Sequence, residues 1–284
     1  MFPPFTEKAP AKINLALHVL GRRDDGYHEL DSIVTFADLG DVLAFAPASQ
    51  FSLSAEGPFA TALPPSSDNI ITRALDIARE IATARGRSLP GVAIRLTKNL
   101  PVAAGIGGGS ANGGAALRAL LRLAGIDSLD ATIMAAALRL GADVPVCLRN
   151  RPCRMGGIGE KLMDFPGLSP MPAVLVNPGL GLATASVFGQ LGLRPGEAHG
   201  TGLEASDNPF YWRNDLTVPA KALAPAIGEV LEALSMSAGV SCARMSGSGA
   251  TCFGVFATSE EAARAAQAIA AARPRWWVKQ TVLG

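Results

Sequence analysis

Four of the five residues from Gly105 to Gly109 are glycine, within Leu100-Pro-Val-Ala-Ala-Gly-Ile-Gly-Gly-Gly-Ser-Ala-Asn-Gly-Gly114, and the stretch runs into an apolar helical pattern from Ala115 to Leu121. A backbone so free of Cβ atoms turns tightly and lets a ligand approach the main chain. The helix behind it aims its unpaired N–H groups and the positive end of its dipole at whatever the loop holds. Together these make an anion cradle of the kind that holds phosphate. Ser110 adds a hydroxyl at the expected helix start, for the N-cap or for a phosphate oxygen. No Lys-Ser or Lys-Thr pair follows the glycines, so this is not a P-loop, and the strands before it do not supply the βαβ unit of a dinucleotide site.

Around this loop the chain reads as mixed strands and helices. Alternation over Lys12 to Leu20 puts Lys12, Asn14, Ala16 and His18 on one face and Ile13, Leu15, Leu17 and Val19 on the other. A turn over 21–26 leads to expected strands near Ser32–Phe36 and Asp41–Ala46, an antiparallel meander. Apolar spacing predicts a helix from Asp68 to about Arg85 with Ser or Asp caps, a strand at Val92–Leu96, and helices through Arg122 and from Leu129 to Leu140. Ala173–Val176 reads as a buried strand and 192–214 as a loop-rich connection. Leu216–Leu234 reads as helix interrupted by Pro219 and Pro225. Strands at Cys242–Met245 and Cys252–Phe256 flank a second glycine-rich turn, before a helix at Glu260–Ala272 and a strand at Trp276–Val282. Without strict βαβ alternation, the expected class is α+β in two lobes, divided near residue 152.

Composition limits the partners. Lys and Arg number 25 against 24 Asp and Glu, which argues against a nucleic-acid polymer as ligand. A phosphate cradle made of backbone N–H groups needs no net charge. No uninterrupted apolar stretch is long enough to cross a bilayer, and no secretory signal opens the chain. Cysteines at 147, 153, 242 and 252 form no C-x-x-C pair, the pattern of reduced thiols in a cytoplasmic protein.

Pro101-Val-Ala-Ala-Gly-Ile-Gly-Gly-Gly-Ser-Ala111 resembles the phosphate-binding motif of the GHMP kinases, the family of galactokinase, homoserine kinase, mevalonate kinase and phosphomevalonate kinase. Three further segments make the resemblance more specific: Pro10-Ala-Lys-Ile-Asn-Leu15 followed by Gly21-Arg-Arg-Asp-Asp-Gly-Tyr-His-Glu-Leu30, Gly141-Ala-Asp-Val-Pro-Val146, and Met245-Ser-Gly-Ser-Gly-Ala-Thr251. They are similar to the branch whose substrate is the cytidine diphosphate ester of methylerythritol, an isoprenoid precursor. The resemblance implies ATP- and Mg²⁺-dependent phosphorylation of that small molecule's tertiary 2-hydroxyl. It implies an ATP-binding lobe over 1–152, with 274–284 as a candidate completion, and a smaller lobe over 153–273 that closes a substrate cleft. Ala103 and Ala104 stand where members often carry glycine.

The resemblance also distributes roles. Pro101, Val102, Ala103, Ala104, Gly105, Ile106, Gly107, Gly108, Gly109, Ser110 and Ala111 would cradle the ATP phosphates, with Asn69 and Lys98 on the adenine side. Asp143, in a motif read as a helix exit leading into an apolar strand, would accept the proton of the attacking hydroxyl. Lys12 would face the cleft near it, keeping the aspartate ionised and orienting the hydroxyl or the phosphoryl group. Asn14, Tyr27 and His28 match positions that read the cytidine end, and Phe188 a second aromatic wall that stacks with Tyr27 across the base. Gly247, Ser248 and Gly249 would close over the substrate or its phosphates. No His/Asp/Glu cluster has metal-ligand spacing, so Mg²⁺ would arrive with ATP. A kinase of the mevalonate or homoserine type, or a silent nucleotide-binding protein, is the alternative. Neither needs Asp25-Gly-Tyr-His28, and mere binding needs neither Lys12 nor Asp143.

Overall fold

The alternating N-terminal segment forms β1 (Phe5–Arg22), which turns through 23–27 and pairs with β2 (His28–Pro47) in a computed structural model that describes residues 2–63, 65, 68–127, 129–204 and 212–284. The two strands expected at Ser32–Phe36 and Asp41–Ala46 are one continuous strand of 20 residues. Gly40 between them serves close approach, since a Cβ there would lie 2.4 Å from the carbonyl oxygen of Ala9.

By packing, the chain forms two units that interleave rather than divide at a single point near 152. The first holds the residues up to Ala11, Gly40–Val102 and Gly107–Arg151, and the second Lys12–Leu39, Ala103–Ile106 and Pro152–Gly284. In the first unit β4 (Val92–Thr97) pairs antiparallel with the end of β2, from Val42↔Thr97 to Pro47↔Val92, and parallel with β3 (Ser52–Glu56). The crossover between β3 and β4 carries α1 (Ile70–Ala84). Parallel neighbours need such a connection, and a five-residue β3 with a mostly exposed pattern carries little apolar signal. The apolar face read from spacing buries Ile71, Ala74, Leu75, Ile77, Ala78 and Ile81 of α1, which is capped by Asn69. It packs on α2 (Gly108–Leu123), which packs in turn on α4 (Val144–Arg149), next to α3 (Ala131–Leu138). The segment read as an apolar strand after Asp143 is thus a helix. Pro145 sits in its first turn, where a missing N–H costs nothing, and a helix of six residues is too short to show a period.

The second unit is built on strands. Leu30–Val34 of β2 pairs antiparallel with β5 (Cys153–Gly157), which forms a hairpin with β6 (Lys161–Asp164). β10 (Trp277–Leu283) meets β2 at Leu283↔Ala37 and pairs antiparallel with β7 (Met171–Asn177). From β7 the order continues through β9 (Cys252–Phe256) to β8 (Val240–Met245), all antiparallel. Short α5 (Thr184–Gly189) and α6 (Thr217–Leu223) precede α7 (Ala226–Ser235), and Pro225 marks the α6–α7 break. α7 and α8 (Ser259–Ala272) cover the sheet around a core that includes Val174, Val176, Ile227, Val230 and Phe256. A capping box of Thr258 and Glu261 starts α8. Residues 205–211 of the connection over 192–214 lie outside the described residues. Among the described residues no helix is long and apolar enough to cross a membrane.

Candidate active site

In the first unit two of the residues expected on the nucleotide side, Gly108 and Lys98, lie together where α2 begins. The helix starts at Gly108, not at Ala115, because Gly107 takes the left-handed conformation (φ 62) as N-cap. Ser110 is therefore inside the first turn and is not the cap. No side chain caps α2, which leaves its first N–H groups for a ligand or water. Gly109 has open space where a Cβ would stand, whereas a Cβ on Gly108 would lie 3.2 Å from Nζ of Lys98.

That lysine is 1% exposed and its ammonium donates to Oδ2 of Asp41, at 2.5 Å, with Asp41 fully buried. Oδ1 of Asp41 accepts from the backbone N–H groups of Asn99 (2.7 Å) and Leu100 (2.8 Å), fixing the turn that leads to Pro101 and Val102. Burial lowers the Lys98 pKa from its ordinary value, against the pull of Asp41 in the other direction. Lys98 is thus a paired cation beside the first turn of α2. Asn69 spends its Oδ1 on the N–H of Ile71, at 3.0 Å. Half-buried Asp143 is the N-cap of α4, and its carboxylate makes no bond to that helix's own N–H groups.

In the second unit the polar face of β1 is buried along with the apolar one: Lys12 is 3% exposed, Asn14 1% and His18 3%. Alternation identified this face, and its burial is the informative part. Asn14 donates from its backbone N–H to Oγ of Ser246 (3.1 Å) and from Nδ2 to Oγ of Ser32 (2.8 Å). Its Oδ1 is buried and has no hydrogen-bond partner among the described residues.

The glycine loop's middle, Ala103–Ile106, threads through the same unit. The carbonyl of Ile106 accepts from the N–H of Lys12 (2.9 Å), and that of Gly105 from Oγ of Ser246 (3.1 Å). A Cβ on Gly105 (φ 73) would lie 2.4 Å from the carbonyl oxygen of Gly249, and one on Gly247 2.5 Å from that of Gly105. The two glycine-rich segments therefore pack backbone to backbone. Asn214 holds the second one, donating to the carbonyls of Met245 and Gly247, both at 2.8 Å. Ser248 meets Thr184 at 3.1 Å.

The ring of half-buried Phe188 meets His28, centroids 4.7 Å apart and planes tilted by 31°, while Tyr27 is 57% exposed. α5 carries Phe188 onto the start of β2. Nε2 of His28 is buried without a partner among the described residues. Burial first, then the charges of Arg22 and His199, lower the His28 pKa from its ordinary value. Asp41 and Asn214 were missed from the sequence, whereas Ser246 lies within the second glycine-rich motif. Asp41 alone left a signal, a carboxylate opening the apolar run Val42-Leu-Ala-Phe45.

The model of the GHMP kinases N terminal domain matches residues 69–151, and that of the GHMP kinases C terminal domain residues 202–274. The chain belongs to the GHMP kinase family. A relative from Paramagnetospirillum magneticum, 48% identical over 96% of both chains, carries the name 4-diphosphocytidyl-2-C-methyl-D-erythritol kinase. So does one from Parvibaculum lavamentivorans, 46% identical over the whole of both. A solved 4-(cytidine 5'-diphospho)-2C-methyl-D-erythritol kinase, 34% identical, superposes with a TM-score of 0.80 over 99% of each chain. Homoserine kinase from Cytophaga hutchinsonii, 16% identical with a TM-score of 0.71, shares the fold.

Proposed function

We propose that this protein transfers the γ-phosphoryl group of ATP to the 2-hydroxyl of 4-diphosphocytidyl-2-C-methyl-D-erythritol, a step of non-mevalonate isoprenoid precursor synthesis. The observation that carries the substrate choice is that two of the buried polar atoms without a partner among the described residues of the second unit, Oδ1 of Asn14 and Nε2 of His28, belong to residues matched to the cytidine end. A buried polar atom without a partner costs about 1–3 kcal/mol. A cytosine ring offers an amino donor and adjacent acceptors to relieve that cost, and the ring of Phe188 beside His28 supplies an aromatic face. Mevalonate, homoserine and galactose carry no base.

The uncapped start of α2, with Lys98 beside it, supports phosphate binding. Asp143 takes the proton of the attacking hydroxyl, Lys12 steadies the charge that develops on the transferring group, and Gly247, Ser248 and Gly249 close on the substrate. Asn69 stands on the adenine side, and Tyr27 lends its face to the cytidine end. Mg²⁺ would arrive with the ATP phosphates and would neutralise their charge. The test is a coupled assay of ADP release across this substrate, mevalonate, homoserine and galactose, for the parent and Asp143→Ala. Turnover is expected with the cytidine substrate alone, and the variant should lose about 10²–10⁴-fold in kcat. Efficient turnover of mevalonate, or a variant within tenfold of the parent, refutes the proposal.

A further inference from the structure

Two residues of α2 grip α4 in the first unit. Gly114 lies against the α4 backbone: a Cβ there would stand 2.7 Å from the nitrogen of Leu148 and 2.8 Å from the carbonyl carbon of Cys147. One turn further along α2, Arg118 reaches the same two residues. Its Nη1 donates to the carbonyls of Cys147 (3.2 Å) and Leu148 (2.9 Å). These belong to the last turn of a six-residue helix, whose carbonyls have no partner inside it and favour a cation. The guanidinium is itself fixed, with Nε on Oε1 of Glu7 at 2.7 Å and Nη2 on the carbonyl of Lys8 at 3.3 Å.

The gripped residue is bonded to Asp143. The N–H of Cys147 donates to the Asp143 carbonyl at 3.2 Å, the bond that opens α4. Asp143, Cys147 and Arg118 thus form a short chain of hydrogen bonds that starts on the helix whose first turn carries the glycine loop.

We propose that Gly114 and Arg118 are positioning residues that set where the Asp143 carboxylate stands relative to the phosphate end of α2. This rests on the reading of Asp143 as proton acceptor. Gly114→Ala puts a methyl at 2.7 Å where ordinary contact starts at 3.4 Å, so α4 must move by about 0.7 Å. A shift of about 1 Å in a reacting group costs on the order of 10² in rate. The three atoms nearest that methyl all belong to α4, so the glycine loop before Gly114 is not what it crowds.

The experiment measures kcat, the ATP dissociation constant and thermal unfolding for Gly114→Ala, Arg118→Lys, Arg118→Met, Asp143→Ala and Gly114→Ala/Asp143→Ala. Gly114→Ala is expected to lose about tenfold to a hundredfold in kcat, with ATP affinity within about threefold of the parent. Arg118→Lys, which keeps a donor for one carbonyl, should retain more activity than Arg118→Met. On the Asp143→Ala background the Gly114 substitution should cost nothing more, because its effect runs through the missing carboxylate. A folded Gly114→Ala with kcat within threefold of the parent overturns the inference, as does a loss that multiplies with that of Asp143→Ala. If Gly114→Ala fails to fold, equal activity of Arg118→Lys and Arg118→Met overturns it. Asp143→Ala within tenfold of the parent removes the base reading and this inference with it. An inactive Asp143→Ala beside a fully active Gly114→Ala removes the inference alone.

Discussion

Asp41→Ala tests how much of the first unit depends on one buried charge. The substitution removes the partner of Lys98, which is 1% exposed, and strands the N–H groups of Asn99 and Leu100. Breaking a buried ion pair by deleting one member costs about 3–5 kcal/mol, and each orphaned buried N–H adds on the order of 1 kcal/mol. A loss of at least about 4 kcal/mol follows, a large share of the roughly 5–15 kcal/mol of a typical protein. At about 2 °C per kcal/mol the melting temperature should fall by some 8 °C. Asp41→Asn separates the two contributions. It keeps an oxygen for both N–H groups but turns an amide donor toward the ammonium, so about 3 kcal/mol should still be lost. Adding Lys98→Met to Asp41→Asn replaces the cation with an apolar stem and should restore about 2 kcal/mol. Urea unfolding monitored by circular dichroism gives each value. A loss below about 1.5 kcal/mol for Asp41→Ala, or single effects that simply add in the double variant within about 0.5 kcal/mol, would refute this account of the pair.

Ala103 has a left-handed backbone (φ 53), so Ala103→Gly should stabilise by about 0.5 kcal/mol, the αL penalty of an L-residue less the entropy of glycine; an unchanged or lower melting temperature counts against the strain. Gly105→Ala should destabilise by more than about 2 kcal/mol, because its Cβ meets the Gly249 backbone at 2.4 Å. Gly109→Ala, in open space and inside a helix, should leave the melting temperature equal or higher while weakening ATP in a calorimetric titration; equal melting temperatures for the two variants would sink the distinction. His28 has a folded pKa below its ordinary 6.5, so the unfolded chain binds the proton more readily and His28 destabilises the fold as pH drops through 6.5. A plot of stability against pH should therefore steepen below 6.5 for the parent relative to His28→Gln and run parallel above 7.5; parallel curves throughout would contradict the shift.

How far the chain could be read before its structure depends on how far apart in sequence the cooperating residues lie. The glycine loop and the start of α8 are local: Gly107 caps α2 through its own φ, and Thr258 bonds Glu261 three residues on. Such features are written in the order of neighbours. The polar face of β1 was visible through its period of two, but its burial was not, since strands and loops far along the chain cover it, Ser246 bonding Asn14 across 232 positions. Asp41 and Lys98 are separated by 57 positions, and Arg118 and Leu148 by 30, with no spacing rule to connect either pair. The contact of Phe188 with His28 depends on where α5 sits, and α4 is too short to show a helical period. Residues that hold a backbone shape can be read locally, while residues that hold two distant segments together show themselves only when folded. Asp41, which holds the turn before the glycine loop, and Arg118, beside the proposed base, are of the second kind. Motif reading thus finds the groups proposed to touch ATP and substrate and passes over those that aim them.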